Sequence, residues 1–171
     1  SWCELLPEGT LRCTNEFWRH HEWNLVSRIY HAEQLQDDNV IEPVIVCNLV
    51  WWTSGFGVDA SYTRPAEARG AYHFEPVIHT HADVEKIVIP EVMIDWEETQ
   101  RRAARLHEVF DGILPVEVRG RTGGDIAPVD LYAKWRGIDQ LFLDLTDNPA
   151  MVHDAVARIT DGHIAIMRAL E

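Results

Sequence analysis

The sequence predicts an α/β fold in which helices alternate with parallel strands, and two observations carry that expectation. Two short runs rich in β-branched residues, Ile41 to Val50 and Ile113 to Arg119, are separated by segments with helical periodicity. Helix, strand, helix, strand and helix in succession is the pattern of a parallel sheet covered by its own crossover helices.

Each element has a local reason. Asn15 is placed to cap a helix running to about Gln36, with Trp18, Leu25, Ile29 and Ala32 at helical spacing, and Asp37-Asp38-Asn39 breaks it. The run from Ile41 is too short for a core helix and reads as a strand. From Thr53 to His81 the chain is punctuated by Gly55, Gly57, Pro65, Gly70 and Pro76, with a further short strand at Val77 to His79. A long irregular stretch inside a compact domain is usually functional. Asp95 and Glu98 form a capping box for a helix to about Phe110, with Thr99, Ala103, Leu106 and Phe110 on one face and Gly112 past its end. In the next strand Leu114, Val116 and Val118 share one face, and Pro115, Glu117 and Arg119 share the other. Helices are expected over Asp125 to Gly137 and Ile138 to Leu145. Asn148 and Pro149 then open a last helix with the stripe Val152, Val156, Ile159, His163, Ile166 and Leu170.

A closed (β/α)8 barrel takes eight strands and typically about 250 residues. Far fewer strands are legible in these 171 residues, and the last helix has no following strand to receive its apolar face. The expectation is one domain, 1–171, forming the amino-terminal part of such a barrel. Its helical lead-in is 1–40 and its first β/α units are 41–171.

Composition excludes several function classes. A net charge of −13, with no basic cluster beyond Arg101-Arg102, repels a phosphate backbone and argues against nucleic acid or an anionic membrane as partner. No apolar run reaches the roughly 18 residues a membrane helix needs, and no export signal is legible, so the cytoplasm is the expected location. Cys3, Cys13 and Cys47 lack CxxC spacing, which disfavours a disulfide scaffold or a zinc knuckle within the chain.

The segments VIEPVIVCNLVWW (40–52), PVIHTHADVEKI (76–87), LPVEVRGRTGG (114–124) and LTDNPAMVHDAVARIT (145–160), in that order, resemble the uroporphyrinogen decarboxylase superfamily, which also contains methylcobalamin-dependent methyltransferases. The resemblance runs from about Asp37 onward and is most specific at Asn148 to His153. It implies a TIM barrel whose active site lies at the carboxyl ends of the strands. It also implies that Asn48 stands where true decarboxylases carry a catalytic Asp, and Thr146 where they carry a Tyr; their Arg-rich amino-terminal motif is not found. An uncharged amide cannot replace an anion facing a ring of pyrrole N–H groups, so uroporphyrinogen decarboxylation is disfavoured. Methyl transfer remains: a zinc-bound thiolate attacks a methyl group delivered on a corrinoid partner protein, with the zinc ligands outside this chain.

The candidate catalytic residues are Glu117 and Arg121, the latter in a glycine-flanked turn suited to a carboxylate or phosphate. The candidate substrate-binding residues are Asn48, Arg119, Trp51, Trp52 and His73. Each has a plainer reading: a loop hydrogen bond for Asn48, a structural ion pair for Glu117 and Arg119, a covered surface or subunit contact for the tryptophans, a structural role for His73. His79 and His81 have the HxH spacing of metal-dependent hydrolases, which is the alternative activity. A non-catalytic barrel that binds a small molecule is the other, and a homo-oligomer fits any of the three.

Overall fold

The computed structural model describes residues 2–35, 37–63, 73–120 and 126–171, which form a mixed α/β protein divided into two compact units, Ser1–Pro43 and Val44–Glu171.

The first unit is helical, with α1 (Trp2–Leu5), a 3-10 turn at Glu8–Thr10 and α2 (Glu16–Gln34). Asn15 caps α2 as expected, its side chain accepting from the Trp18 N–H. The Glu22 carboxylate accepts from the backbone N–H groups of Arg12 and Cys13, folding the preceding segment back onto the helix and holding its own pKa below the usual carboxylate range. The expected stripe is not a core: Trp18 and Leu25 are half-buried and Ile29 and Ala32 exposed, while Ser27 is the buried residue of α2.

The second unit holds the sheets and the main core. Its elements are β1 (Ile45–Asn48), β2 (Trp51–Thr53), β3 (Tyr62–Thr63), β4 (His73–Phe74), α3 (His81–Val84), β5 (Val92–Ile94), α4 (Trp96–Phe110), β6 (Val116–Arg119), α5 (Pro128–Arg136), α6 (Ile138–Asp147) and α7 (Pro149–Ala169). Among the described residues the strands form three two-stranded sheets: β1 with β6 in parallel, β2 with β5 and β3 with β4 antiparallel. These do not close a barrel.

Helix α4 explains why the parallel pair is stable on one side. Asp95 accepts from the Glu98 N–H, whereas the Glu98 carboxylate turns to Arg101 and Arg102 rather than completing a capping box. Thr99, Ala103 and Leu106, one stripe at helical spacing, are buried beneath it. The stripe meets β1, where the Cys47 thiol approaches the Thr99 carbonyl at 3.8 Å. Thr99 also ties β1 to its continuation, because its hydroxyl accepts from the Val50 N–H (3.0 Å) and donates to the Asp95 carbonyl (2.7 Å). Burial pushes the Cys47 thiol pKa up, so it rests as a neutral packing group.

The segment Val77 to His79 is not a strand. The Val77 and Ile78 N–H groups both donate to the Trp135 carbonyl, and Thr80 turns the chain into α3. Nor is the apolar stripe of α7 left open. Met151, Val152, Ala155, Ile159, Gly162 and Ile166 are buried, and α7 packs on α3, α5 and α6. Gly162 is needed there, since a Cβ would overlap the Phe56 ring. Part of the expectation of an incomplete barrel rested on that face, which is received by helices.

Candidate functional site

The carboxyl end of the parallel pair gathers three of the residues singled out in the sequence. In the register Val46 lies opposite Glu117, Cys47 opposite Val118 and Asn48 opposite Arg119, and the pairing continues through the Leu49 N–H to the Arg119 carbonyl at 2.9 Å. Side chains alternate along a strand and neighbouring residues in register share a face. Asn48, Glu117 and Arg119 therefore stand on one face, opposite the one on which Ile45 and Cys47 meet α4. The polar face is accessible: Asn48 and Glu117 are exposed and Arg119 half-buried.

The Arg119 guanidinium donates through Nε (2.9 Å) and Nη2 (2.7 Å) to Glu117 Oε2. Two residues apart on one strand, the pair presents fixed donors and acceptors beside the Asn48 amide, which both donates and accepts. Such a surface suits a small polar molecule with donors and acceptors of its own better than a bare polyanion, because the nearest cation already has a carboxylate. Gly120 ends the strand against the carboxyl end of α7, where a Cβ would overlap the Leu170 carbonyl.

The other predicted residues are placed differently. Trp51 and Trp52 lie in a strand. After Leu49 and Val50 the chain resumes as β2, pairing Trp51 with Ile94 and Trp52 with Met93. Successive strand residues point oppositely, leaving Trp51 half-buried and Trp52 about 51% exposed, so a single ligand is not gripped by both. Arg121 lies outside the described residues. The His73 backbone, in β4, pairs with Thr63 of β3, and its side chain lies outside the described ones.

His79 and His81 occupy a helix-capping turn. Asp83 accepts from the N–H groups of His79 (3.0 Å) and Thr80 (2.8 Å), the Thr80 hydroxyl (2.9 Å) and Lys86 Nζ (2.7 Å). The Lys86 ammonium foremost, then these backbone and hydroxyl donors, hold its pKa far below the usual carboxylate range. His81 is the first residue of α3, and its Nε2 lies 3.1 Å from Asp154 Oδ2. The even spacing of a strand that would align both rings is absent. Among the described residues no group of three or more His, Cys, Asp or Glu is arranged to hold a metal ion.

Sequence reasoning missed a second polar centre. Arg136 and Asp144 are both buried and paired through Nε–Oδ2 (2.5 Å) and Nη2–Oδ1 (3.1 Å). Arg136 Nη1 also donates to the carbonyls of Ile78 (3.1 Å) and His79 (3.0 Å), while Asp144 accepts from Gln140 (3.3 Å) and Asn148 (3.0 Å). The Arg136 guanidinium holds the Asp144 carboxyl at about 2, against an ordinary 3.8. Asn148 thus anchors Asp144 instead of capping α7 with its side chain. A cleft of about 340 Å³ opens beside this centre, lined by His79, Thr80, His81, Arg136 and the turn from Asp147 to Met151. The Tyr132 hydroxyl is buried with no hydrogen-bond partner among the described residues; burial and the Asp144 carboxylate push its pKa up. The only advance signal was the Arg-Gly break between α5 and α6, which separates the pair by eight residues.

Compared with protein-family models, curated proteins and solved structures, the chain matches none of them. The described residues include no helix long and apolar enough to cross a membrane.

Proposed function

We propose that the chain is the first part of a uroporphyrinogen decarboxylase-like (β/α)8 barrel, and that the protein is a corrinoid-linked methyltransferase acting on a small polar molecule. The observation that supports this most is the shared polar face of Asn48, Glu117 and Arg119 at the carboxyl end of a parallel strand pair. That is the end at which α/β barrels place their chemistry. The pair also suits an unfinished sheet: parallel sheets normally have both faces covered, whereas here Glu117 and Val118 are exposed. Completion by further strands would turn the exposed polar face into the wall of a cleft.

In this reading the chain's own residues bind and orient. Arg119, held by Glu117, and the Asn48 amide align the substrate's polar group, and Glu117 is placed to take or return a proton. Arg121 follows Gly120 directly in sequence and is assigned to an anionic substrate group. Zinc, when bound, would lower the pKa of an acceptor thiol so that it loses its proton and is present as the nucleophilic thiolate at neutral pH. The described residues do not themselves form a site for it, and the reading places its ligands outside this chain. The His79/His81 hydrolase has no comparable support, because the His79 backbone N–H joins the Asp83 cap of α3 and His81 Nε2 lies against Asp154.

The test uses protein expressed from its uninterrupted reading frame, incubated with methylcobalamin and a panel of thiol and amine methyl acceptors. Consumption of the methyl-corrinoid with one acceptor class, together with about one zinc per chain after dialysis, is the expected result. No methyl transfer with any acceptor, and no retained zinc, would overturn the proposal.

A further inference from the structure

We propose that the cleft beside the Arg136–Asp144 pair binds a small zwitterion of the α-amino acid class. The cleft shares no residue with the polar end of the β1–β6 pair, and the proposal does not rest on the methyltransferase reading.

Its first support is a shortage of acceptors in the buried centre. A guanidinium carries five N–H groups. Four of those on Arg136 are accepted, Nε and one on Nη2 by Asp144, and the Nη1 pair by the Ile78 and His79 carbonyls. The second Nη2 N–H has no acceptor among the described residues, although the side chain is only 9% exposed. Arg136 lines the cleft. Tyr132, one turn earlier on the same face of α5, buries a hydroxyl that also lacks a partner among the described residues. Buried polar groups are nearly always hydrogen-bonded, so two unmet donors on one helix face favour a ligand that brings an acceptor. A third donor lines the same cleft. The Ala150 N–H, in the first turn of α7, has no backbone acceptor, and the Asn148 side chain is turned to Asp144 instead of capping it.

Charge selects the rest of the ligand. Arg136 is already balanced by Asp144, while Asp147 lines the cleft with an exposed carboxylate that has no partner among the described residues. A phosphate or a dicarboxylate would add negative charge beside Asp147 in a chain of net charge −13. A zwitterion adds none: its carboxylate accepts from Arg136 and Ala150, and its ammonium donates to Asp147. The volume of about 340 Å³ falls within the roughly 300–1,000 Å³ of small-molecule sites. Buried Met151 gives the ligand's own side chain an apolar wall.

The experiment is saturation-transfer NMR of the intact protein with each proteinogenic amino acid in turn at millimolar concentration, beside propionate, ethylammonium and inorganic phosphate. Transfer to at least one amino acid is expected, with weaker transfer to propionate and to ethylammonium, each of which carries half of the charge pattern. In Asp147→Asn the Kd for that amino acid should rise by about tenfold or more. Asp139→Asn, outside the cleft, should leave it unchanged. Both aspartates are exposed, and an unchanged thermal melt checks that the fold persists. Lack of transfer to every amino acid, a Kd indifferent to Asp147→Asn, or propionate or phosphate bound as tightly as the best amino acid would overturn the proposal.

Discussion

Replacing Asp144 by asparagine removes one charge from the buried Arg136–Asp144 cluster while keeping its shape. In the wild type Arg136 is clamped at both ends, by the Asp144 carboxylate and by the carbonyls of Ile78 and His79, with nothing exposed to water at Asp144. The substitution leaves a buried guanidinium facing a neutral amide, and breaking a buried pair in this way costs about 3–5 kcal/mol. Urea unfolding of Arg136→Met, of Asp144→Leu and of the variant carrying both closes a thermodynamic cycle beside Asp144→Asn. The double variant should lose less than either single one, because it buries no uncompensated charge. A pH series isolates the electrostatic part. The folded carboxyl is held at about 2 against an ordinary 3.8, so the unfolded chain takes up the proton first as pH falls. The stabilisation, about 2 kcal/mol, is full above the ordinary value and is lost as pH falls towards the folded one. The wild-type advantage over Asp144→Asn should shrink over that interval. An Asp144→Asn protein as stable as wild type, or a difference between them that does not change with pH, would refute the account of this cluster.

Three further substitutions test how the fold presents its candidate site. Gly120→Ala should lower stability by about 1–3 kcal/mol or more, since the added Cβ meets the Leu170 carbonyl; Gly55→Ala is not a fair control because of its positive φ, whereas Gly9 has open space and φ outside that region. Thr99→Val keeps the volume but deprives the Val50 N–H of its acceptor, and a loss of about 1–3 kcal/mol is expected in denaturant unfolding. Asp83→Ala should speed amide hydrogen exchange at His79 and Thr80 selectively, because both N–H groups donate to that carboxylate. Unchanged exchange there would contradict the capping role.

The elements with strong local signals were legible in the sequence. Asp95 starts α4 and Pro149 starts α7, because a side-chain acceptor and a missing N–H define those ends whatever packs on them. Strands β1 and β6 were found, though shorter than expected, and Asn48, Glu117 and Arg119 do fall together at their ends. Pairing was not legible. A strand of three residues such as Val92–Ile94 carries too little alternation to be recognised, so nothing in the sequence marks it as the antiparallel partner of Trp51–Thr53. Val77 to His79 looked like a strand because its apolar residues are β-branched; the Thr80 and Asp83 cap decides otherwise. Arg136 and Asp144 meet because two helices adopt a particular phase across Gly137, which periodicity within either helix does not specify.

The central claim is that the polar end of the β1–β6 pair holds the substrate. Its most direct test is the dependence of methyl transfer on Glu117→Gln and Arg119→Met in the protein from its uninterrupted reading frame, with thermal unfolding run alongside. The account predicts kcat/KM lower by about a hundredfold in Glu117→Gln and a raised KM in Arg119→Met, with both variants still folded and melting cooperatively, since Glu117 is exposed and Arg119 half-buried at the surface. Turnover and KM equal to wild type in both variants would contradict it.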